Sequence, residues 1–220
     1  MQNMSAATPA EAWKKLREGN LRFVEGNFTQ PRPTPEQRAA LAAGQSPSSV
    51  LFGCADSRVA AELIFDQGLG DMFVVRTAGH LIDTAVLGSI EFGVEELGCS
   101  LIAILGHDSC GAVKATIDAV DNGEVPGGFI RDIVERMTPS VLTARRLGYK
   151  HPDEIGADHV LETAKLLLSR STIIDAAVRD GRVAIVGLTY NLVDGRAIVR
   201  KVIGDIGDPD VVEAIEIQAD

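Results

Sequence analysis

No apolar run in this 220-residue chain approaches the length of a membrane span, and the opening MQNMSAATPAEAWKK lacks a basic segment leading into an apolar core. A membrane-spanning or exported protein is therefore not expected. Positive charge is also short: 21 Lys and Arg stand against 31 Asp and Glu, for a formal charge of −10. That balance repels a phosphate backbone and an anionic lipid surface, which excludes nucleic acid as an expected partner. Cysteine is scarce as well, and its three copies form no C-x-x-C pair. An odd, unpaired set argues against a disulfide framework and for a reducing compartment, so a cytoplasmic location is expected. Neither a repeat nor a composition shift marks a second domain. With 45% hydrophobic and 24% charged residues the chain reads as one globular domain over 1–220, a helical arm at 1–45 leading an α/β core at 46–220.

The remaining pattern is α/β. Thr8, Pro9 and Glu11 form a capping box with proline at the first helical position, and Trp13, Leu16 and Phe23 recur on one face of the helix that follows. Gln30 to Pro35 carries three prolines and reads as an extended arm, after which Thr34, Pro35 and Gln37 repeat the capping pattern and Gly44 supplies a stop. A helix so separated either reaches over a neighbouring subunit or packs on its own domain. Apolar runs at Val50 to Gly53, Met72 to Arg76, Leu101 to Leu105 and Val183 to Leu188 alternate with helical segments, the pattern of a mostly parallel sheet with helices on both faces. Asp83 caps one such helix, and others are expected from Cys110 to about Val120 and around 129–147 and 158–180. The terminal stretch RVAIVGLTYNLVDGRAIVRKVIG holds two strand-like runs around Asp194 and Gly195, which predicts a hairpin and an antiparallel edge strand.

Two of these runs end in chemistry. LFGCADSRV delivers Cys54, Asp56 and Arg58 past the end of the first strand, and about fifty residues later SLIAILG delivers His107 and Cys110 within GHDSCGAV. Ligands gather at the carboxyl ends of strands in open α/β sheets, and two thiols with one imidazole make three ligands of a tetrahedral zinc. The fourth is either Asp56, which would close the site, or water, which would free Asp56 as a hydrogen-bond acceptor held ionised by Arg58. Cys110 opens a helix, where the dipole favours a thiolate. Cys99 begins its strand at the opposite end and is assigned to the core. A redox pair of Cys54 and Cys110 is disfavoured by their separate loops and the interposed His107.

The pair CADSR and GHDSC, followed by Gly111, resembles the signature of the β-class carbonic anhydrases, and the likeness extends through FVVRTAGH, GSIEFGVEELG and the terminal hairpin. The resemblance implies reversible hydration of carbon dioxide to bicarbonate and a proton by zinc-bound hydroxide. Cys54, His107 and Cys110 are then the zinc ligands and Asp56 with Arg58 the catalytic dyad. It further implies substrate contacts from Gln45, Phe73, Phe92 and the backbone N–H near Gly111, in a pocket at a dimer interface, so that a homodimer or a tetramer of paired dimers is expected. Gln45 points to the plant-like branch. Arg76 and Tyr190 match two positions of the bicarbonate-inhibited branch, but Leu51 stands where that branch has Trp. His80 is a candidate proton shuttle. The alternatives are a carbon disulfide or carbonyl sulfide hydrolase on the same fold, or a zinc-binding regulatory protein without turnover.

Overall fold

The computed structural model describes residues 7–29 and 33–211, so residues 30–32 of the proline-rich arm lie outside the described residues. In chain order the helices are α1 (Pro9–Glu25), α2 (Pro35–Leu41), α3 (Ala61–Ile64), α4 (Thr84–Glu95), α5 (Gly111–Asn122), α6 (Ile130–Arg146), α7 (Pro152–Arg170) and α8 (Thr172–Arg179). The strands are β1 (Ser49–Cys54), β2 (Met72–Thr77), β3 (Leu101–His107), β4 (Ala184–Tyr190) and β5 (Ala197–Ile203), with a single 3-10 turn at Ala78–His80 after β2.

The strands line up as β2-β1-β3-β4-β5. All neighbours run parallel except β4 and β5, which form the antiparallel hairpin expected at the end of the chain. From β1 the chain moves one way to β2 and then crosses back to β3 on the other side. Such a reversal opens a crevice at the carboxyl ends of β1 and β3, because the loops leaving them diverge to opposite faces.

Strand parity sorts the core. Leu51, Leu101, Leu105, Val186 and Leu188 face α1 and α3, where Trp13, Leu16 and Ile64 cover them. Val50, Phe52, Ile102, Ile104 and Ile185 face α4, α7 and α8 on the other side. A third cluster joins Cys54 and Cys110 to Val113, Met137, Val141 and Ile155, so that α5, α6 and α7 wall in the carboxyl end of the sheet. Because β1 and β3 are buried along their whole length, the two loops they feed start from fixed points.

Local chemistry accounts for the helix ends, with some departures from expectation. Both capping boxes form, Thr8 with Glu11 and Thr34 with Gln37, and Asp83 accepts the Val86 N–H at 2.8 Å. The helix α2 stops at Leu41, three residues before Gly44, and buries none of its residues. The helix expected at 158–180 is two. It begins earlier, at Pro152, where His151 and Glu154 make a capping box, and it breaks at Ser171. There the hydroxyl donates to Glu91 at 2.6 Å and accepts the Ile174 N–H at 3.1 Å, a side-chain contact strong enough to end one helix and start the next. The first helix packs on its own domain: Asn20 donates to the carbonyls of Ile64 and Gly195 and accepts from Ala197 N–H, which ties α1 to the α3 turn and to the β4–β5 hairpin.

Candidate metal centre

Cys54 is the last residue of β1, His107 the last of β3 and Cys110 the residue before α5. Their Sγ, ring nitrogen and Sγ lie within 4.8 Å of one another, and all three residues are buried. The sheet crevice thus holds the three donors named from the sequence. His107 Nδ1 lies 2.7 Å from the Asp108 carbonyl, which can only accept, so Nδ1 carries the proton and Nε2 presents its lone pair. That Nε2 is buried and meets no hydrogen-bond partner among the described residues. An orphaned imidazole lone pair facing two thiols fits a tetrahedral zinc.

The thiols are already sharing charge. Cys54 is pulled down to about 4, chiefly by the Cys110 thiol hydrogen-bonded to it and further by His107 and the Gly79 and Asp56 backbone, against burial. Cys110 is pushed up by the same shared proton and by burial. The sequence favoured Cys110 as the thiolate on helix-dipole grounds. In the folded chain two backbone N–H groups reach each sulfur, those of Gly79 and Asp56 at Cys54 and those of Ala112 and Val113 at Cys110, so both positions suit a thiolate. Burial alone would push His107 down, but the Cys54 thiolate beside it raises it. A divalent cation would take the place of the single proton held between the sulfurs.

Asp56 lies just past β1. Its Oδ1 accepts the Arg58 backbone N–H at 2.9 Å and Nε at 3.0 Å, and its Oδ2 accepts Nη2 at 2.8 Å. The Arg58 guanidinium holds the carboxyl well below the usual carboxylate range. Oδ2 is 3.9 Å from His107 Nε2, so the carboxylate sits beside the three donors with both oxygens engaged by arginine. Arg76 clamps the loop from β2, donating through Nε to the Cys54 carbonyl at 2.9 Å and through Nη2 to the Asp56 carbonyl at 2.6 Å. On the β3 side the Ser109 N–H donates to Asp153 at 2.8 Å and the Leu192 N–H to Asp108 at 3.2 Å, fixing the turn between His107 and Cys110.

The other named residues lie elsewhere or do other work. Gly111 opens α5 beside Cys110, exposed, with nothing within 4 Å of where a Cβ would sit. Gln45 is exposed on the loop before β1, and Phe73 pairs in register with Val50 and packs on Phe92 at 6.1 Å between ring centres. Phe73, with Phe92 against it, lies at the amino ends of β1 and β2, roughly 13 Å along the strands from Cys54 of the same chain at about 3.3 Å per residue, and Gln45 precedes the amino end of β1. Leu51 is buried under α1, and Tyr190 is buried with its ring 6.4 Å from that of Phe23. His80, the candidate shuttle, is enclosed, with neither ring nitrogen bonded among the described residues, and burial holds it neutral. Burial pushes the Cys99 thiol up to about 12, as suits a core residue.

A family model described as carbonic anhydrase matches residues 49–197, from β1 to the start of β5. Carbonic anhydrase 2 of Mycobacterium tuberculosis is 58% identical over 205 residues, which cover 93% of this chain and 99% of that one. The carbonic anhydrase of Mycolicibacterium smegmatis is also 58% identical, over 93% and 100% of the two chains. Among solved structures, a tetrameric β-carbonic anhydrase from Sordaria macrospora superposes with a TM-score of 0.68 at 23% identity, covering 78% of this chain and 88% of that one. The chain belongs to the β-class carbonic anhydrase family. Within this β-carbonic anhydrase the sequence reading missed the support given by Arg76, Asp153 and Gly79. Only Arg76 carried a signal, an arginine closing the apolar run FVVR at the register partner of Gly53.

Proposed function

We propose that this chain is a zinc-dependent enzyme that reversibly hydrates carbon dioxide to bicarbonate and a proton, with Cys54, His107 and Cys110 as ligands. The observation that carries the proposal is the buried trio of donors with the His107 lone pair left bare and an ionised Asp56 fixed alongside. Zinc, when bound, supplies the Lewis acidity that makes water a nucleophile near neutral pH. Asp56, kept ionised, would accept a hydrogen bond from the nucleophile and orient it, and Arg58 orients Asp56. The engagement of both Asp56 oxygens by Arg58 supports a site that keeps its fourth position open. The N–H of Gly111, an exposed residue at the start of α5, suits the anionic oxygen that develops on the product.

Gln45, Phe73 and Phe92 line the substrate pocket on this reading, in the Gln-containing branch, and their distance from the donors of their own chain supports a pocket completed by a second copy. A homodimer is then the smallest active unit, and dimers pair further into tetramers. An apolar groove of about 640 Å³ beside β2, lined by Phe28, Leu41, Leu63 and Met72, supports such contact at that edge. The whole chain, 1–220, acts as one domain, with 1–45 as its helical N-terminal part and 46–220 as the α/β core. We place it in the cytoplasm; no helix among the described residues is long and apolar enough to cross a membrane.

Stopped-flow hydration across neutral to alkaline pH, with zinc quantified in the same sample, tests the reaction. Turnover is expected to rise into mildly alkaline buffer, because two thiolates donate more charge to the metal than neutral imidazoles do. Asp56 stays ionised throughout that range, so the rise does not belong to it. A flat profile, zinc without hydration, or hydrolysis of carbonyl sulfide in its place would reject the proposal.

Mixed dimers test the composite pocket. Gln45→Ala alone is expected to lose about tenfold in kcat/KM, the worth of one substrate hydrogen bond, and Cys110→Ser alone to be inactive. Dimers of one chain of each kind contain one intact site and should recover about half the wild-type turnover, reading the loss of each hydrogen-bond partner through geometry alone. No recovery on mixing would place Gln45 outside the partner's site.

A further inference from the structure

Gly79 lies in the turn after β2 with φ +67°, and a Cβ there would sit 2.5 Å from Met137 Cε and 2.9 Å from Ala112 Cβ. The position therefore has to be glycine, and a glycine has no side chain to hold it in place. Its two backbone groups do that work. The N–H donates to Cys54 Sγ at 3.4 Å, and the carbonyl lies 3.0 Å from His159 Nε2 in the middle of α7.

A carbonyl only accepts, so His159 Nε2 carries the ring proton. Burial pushes this imidazole down to about 4, so it is neutral and its Nδ1 is an acceptor. The Ser140 hydroxyl, on α6, donates to it at 2.8 Å. His80 packs beside the ring, 4.5 Å away between ring centres with the two planes tilted by 38°. A directed line of hydrogen bonds thus runs from Ser140 through His159 and Gly79 to the Cys54 sulfur, with every group buried or half-buried. An N–H aimed at a thiolate draws charge from it and fixes its lone pairs, and partners one step removed from a ligand tune metal affinity in this way.

We infer that His159 is a positioning residue of the metal centre: by gripping the Gly79 carbonyl it aims the Gly79 N–H at Cys54 and sets how tightly that sulfur holds a metal. His159 touches neither the ligand nor the substrate. The inference rests on the reading of Cys54 as a zinc ligand, and the two can fail separately.

The experiment compares zinc affinity, by competition with a chromophoric chelator, and the thiolate-to-metal charge-transfer band of the cobalt-substituted protein, in wild type, His159→Leu and His159→Gln. Wild type without stoichiometric zinc would defeat the ligand reading itself. With zinc present, His159→Leu is expected to bind it at least about tenfold more weakly and to shift the cobalt band, while His159→Gln, whose amide keeps a donor, stays within about threefold of wild type. Wild-type affinity and an unmoved band in His159→Leu would overturn the inference. So would equal losses in both variants, which would make the ring's packing the cause rather than its donor. If His159→Leu does not fold, Ser140→Ala takes its place: it frees the ring without removing it, a weakening of about threefold is expected, and unchanged affinity overturns the inference.

Discussion

Serine in place of Cys110 is expected to give a folded chain that keeps no stoichiometric zinc after dialysis and hydrates carbon dioxide no faster than buffer. The fold should survive because the residue precedes α5 and its thiol makes no capping bond there, whereas serine is among the better residues for that position. Once the hydroxyl turns to the helix, the metal loses a soft anionic donor. Structural zinc sites release about 10–16 kcal/mol over four ligands, so one donor is worth roughly 2.5–4 kcal/mol, or about 60- to 700-fold in affinity. Circular dichroism, metal analysis and stopped flow on one preparation check the three parts. Cys99→Ser is the matching control, since that thiol lies at the amino end of β3 against the Pro47 carbonyl, far from the trio, and should leave metal and turnover as they are. Retained zinc and turnover in Cys110→Ser would remove this cysteine from the ligand set.

Asparagine in place of Asp56 is expected to do the opposite to the metal: zinc stays at one per chain while kcat/KM falls by about 10²-fold or more, the usual range for losing a group that handles a proton. The carboxylate accepts three bonds from Arg58, and an amide has one oxygen to offer them. Its NH2 would face donors, so the side chain must turn, and neither the anionic hydrogen-bond acceptor nor its orientation survives. The sign of the titration makes the comparison clean. Because the folded carboxyl lies below its unfolded value, the ion pair is fully formed above the ordinary carboxylate pKa and is lost only as pH falls through the lower folded one. At assay pH the substitution therefore removes a whole charge. The residual activity should keep the wild-type dependence on pH, and turnover within a few-fold of wild type would strip Asp56 of its role.

Much of this was legible because β1 and β3 are buried on both faces. An apolar run bounded by polar residues announces such a strand, and Cys54 and His107 could be placed at strand ends from the letters alone. The hairpin around Asp194 and Gly195 was readable for the same reason. The break at Ser171 was not, since the apolar stripe keeps its period across it and the interruption comes from Glu91, 80 residues away in the chain. Gly79 and His159 are likewise 80 residues apart. Local periodicity carries no trace of which distant carbonyl an imidazole grips. Phe73 and Phe92 stand 19 and 38 residues from Cys54 in the sequence, and only the parallel pairing of β1 with β2 shows that Phe73 lies at the opposite end of the strands from that thiol.

The outer strand β2 has its residues half-exposed, and among the described residues no strand pairs with its free side. Such a margin invites any extended chain to zip onto it, and the neighbouring oily hollow lined by Phe28, Leu63 and Leu69 adds to the attraction. Ten surplus negative charges on every copy oppose indiscriminate sticking at long range, so only a companion offering a matching contour gains enough close contact to stay. A chain with that margin uncovered is accordingly most open to clumping, and high salt, by muting the mutual repulsion between copies, should make it worse.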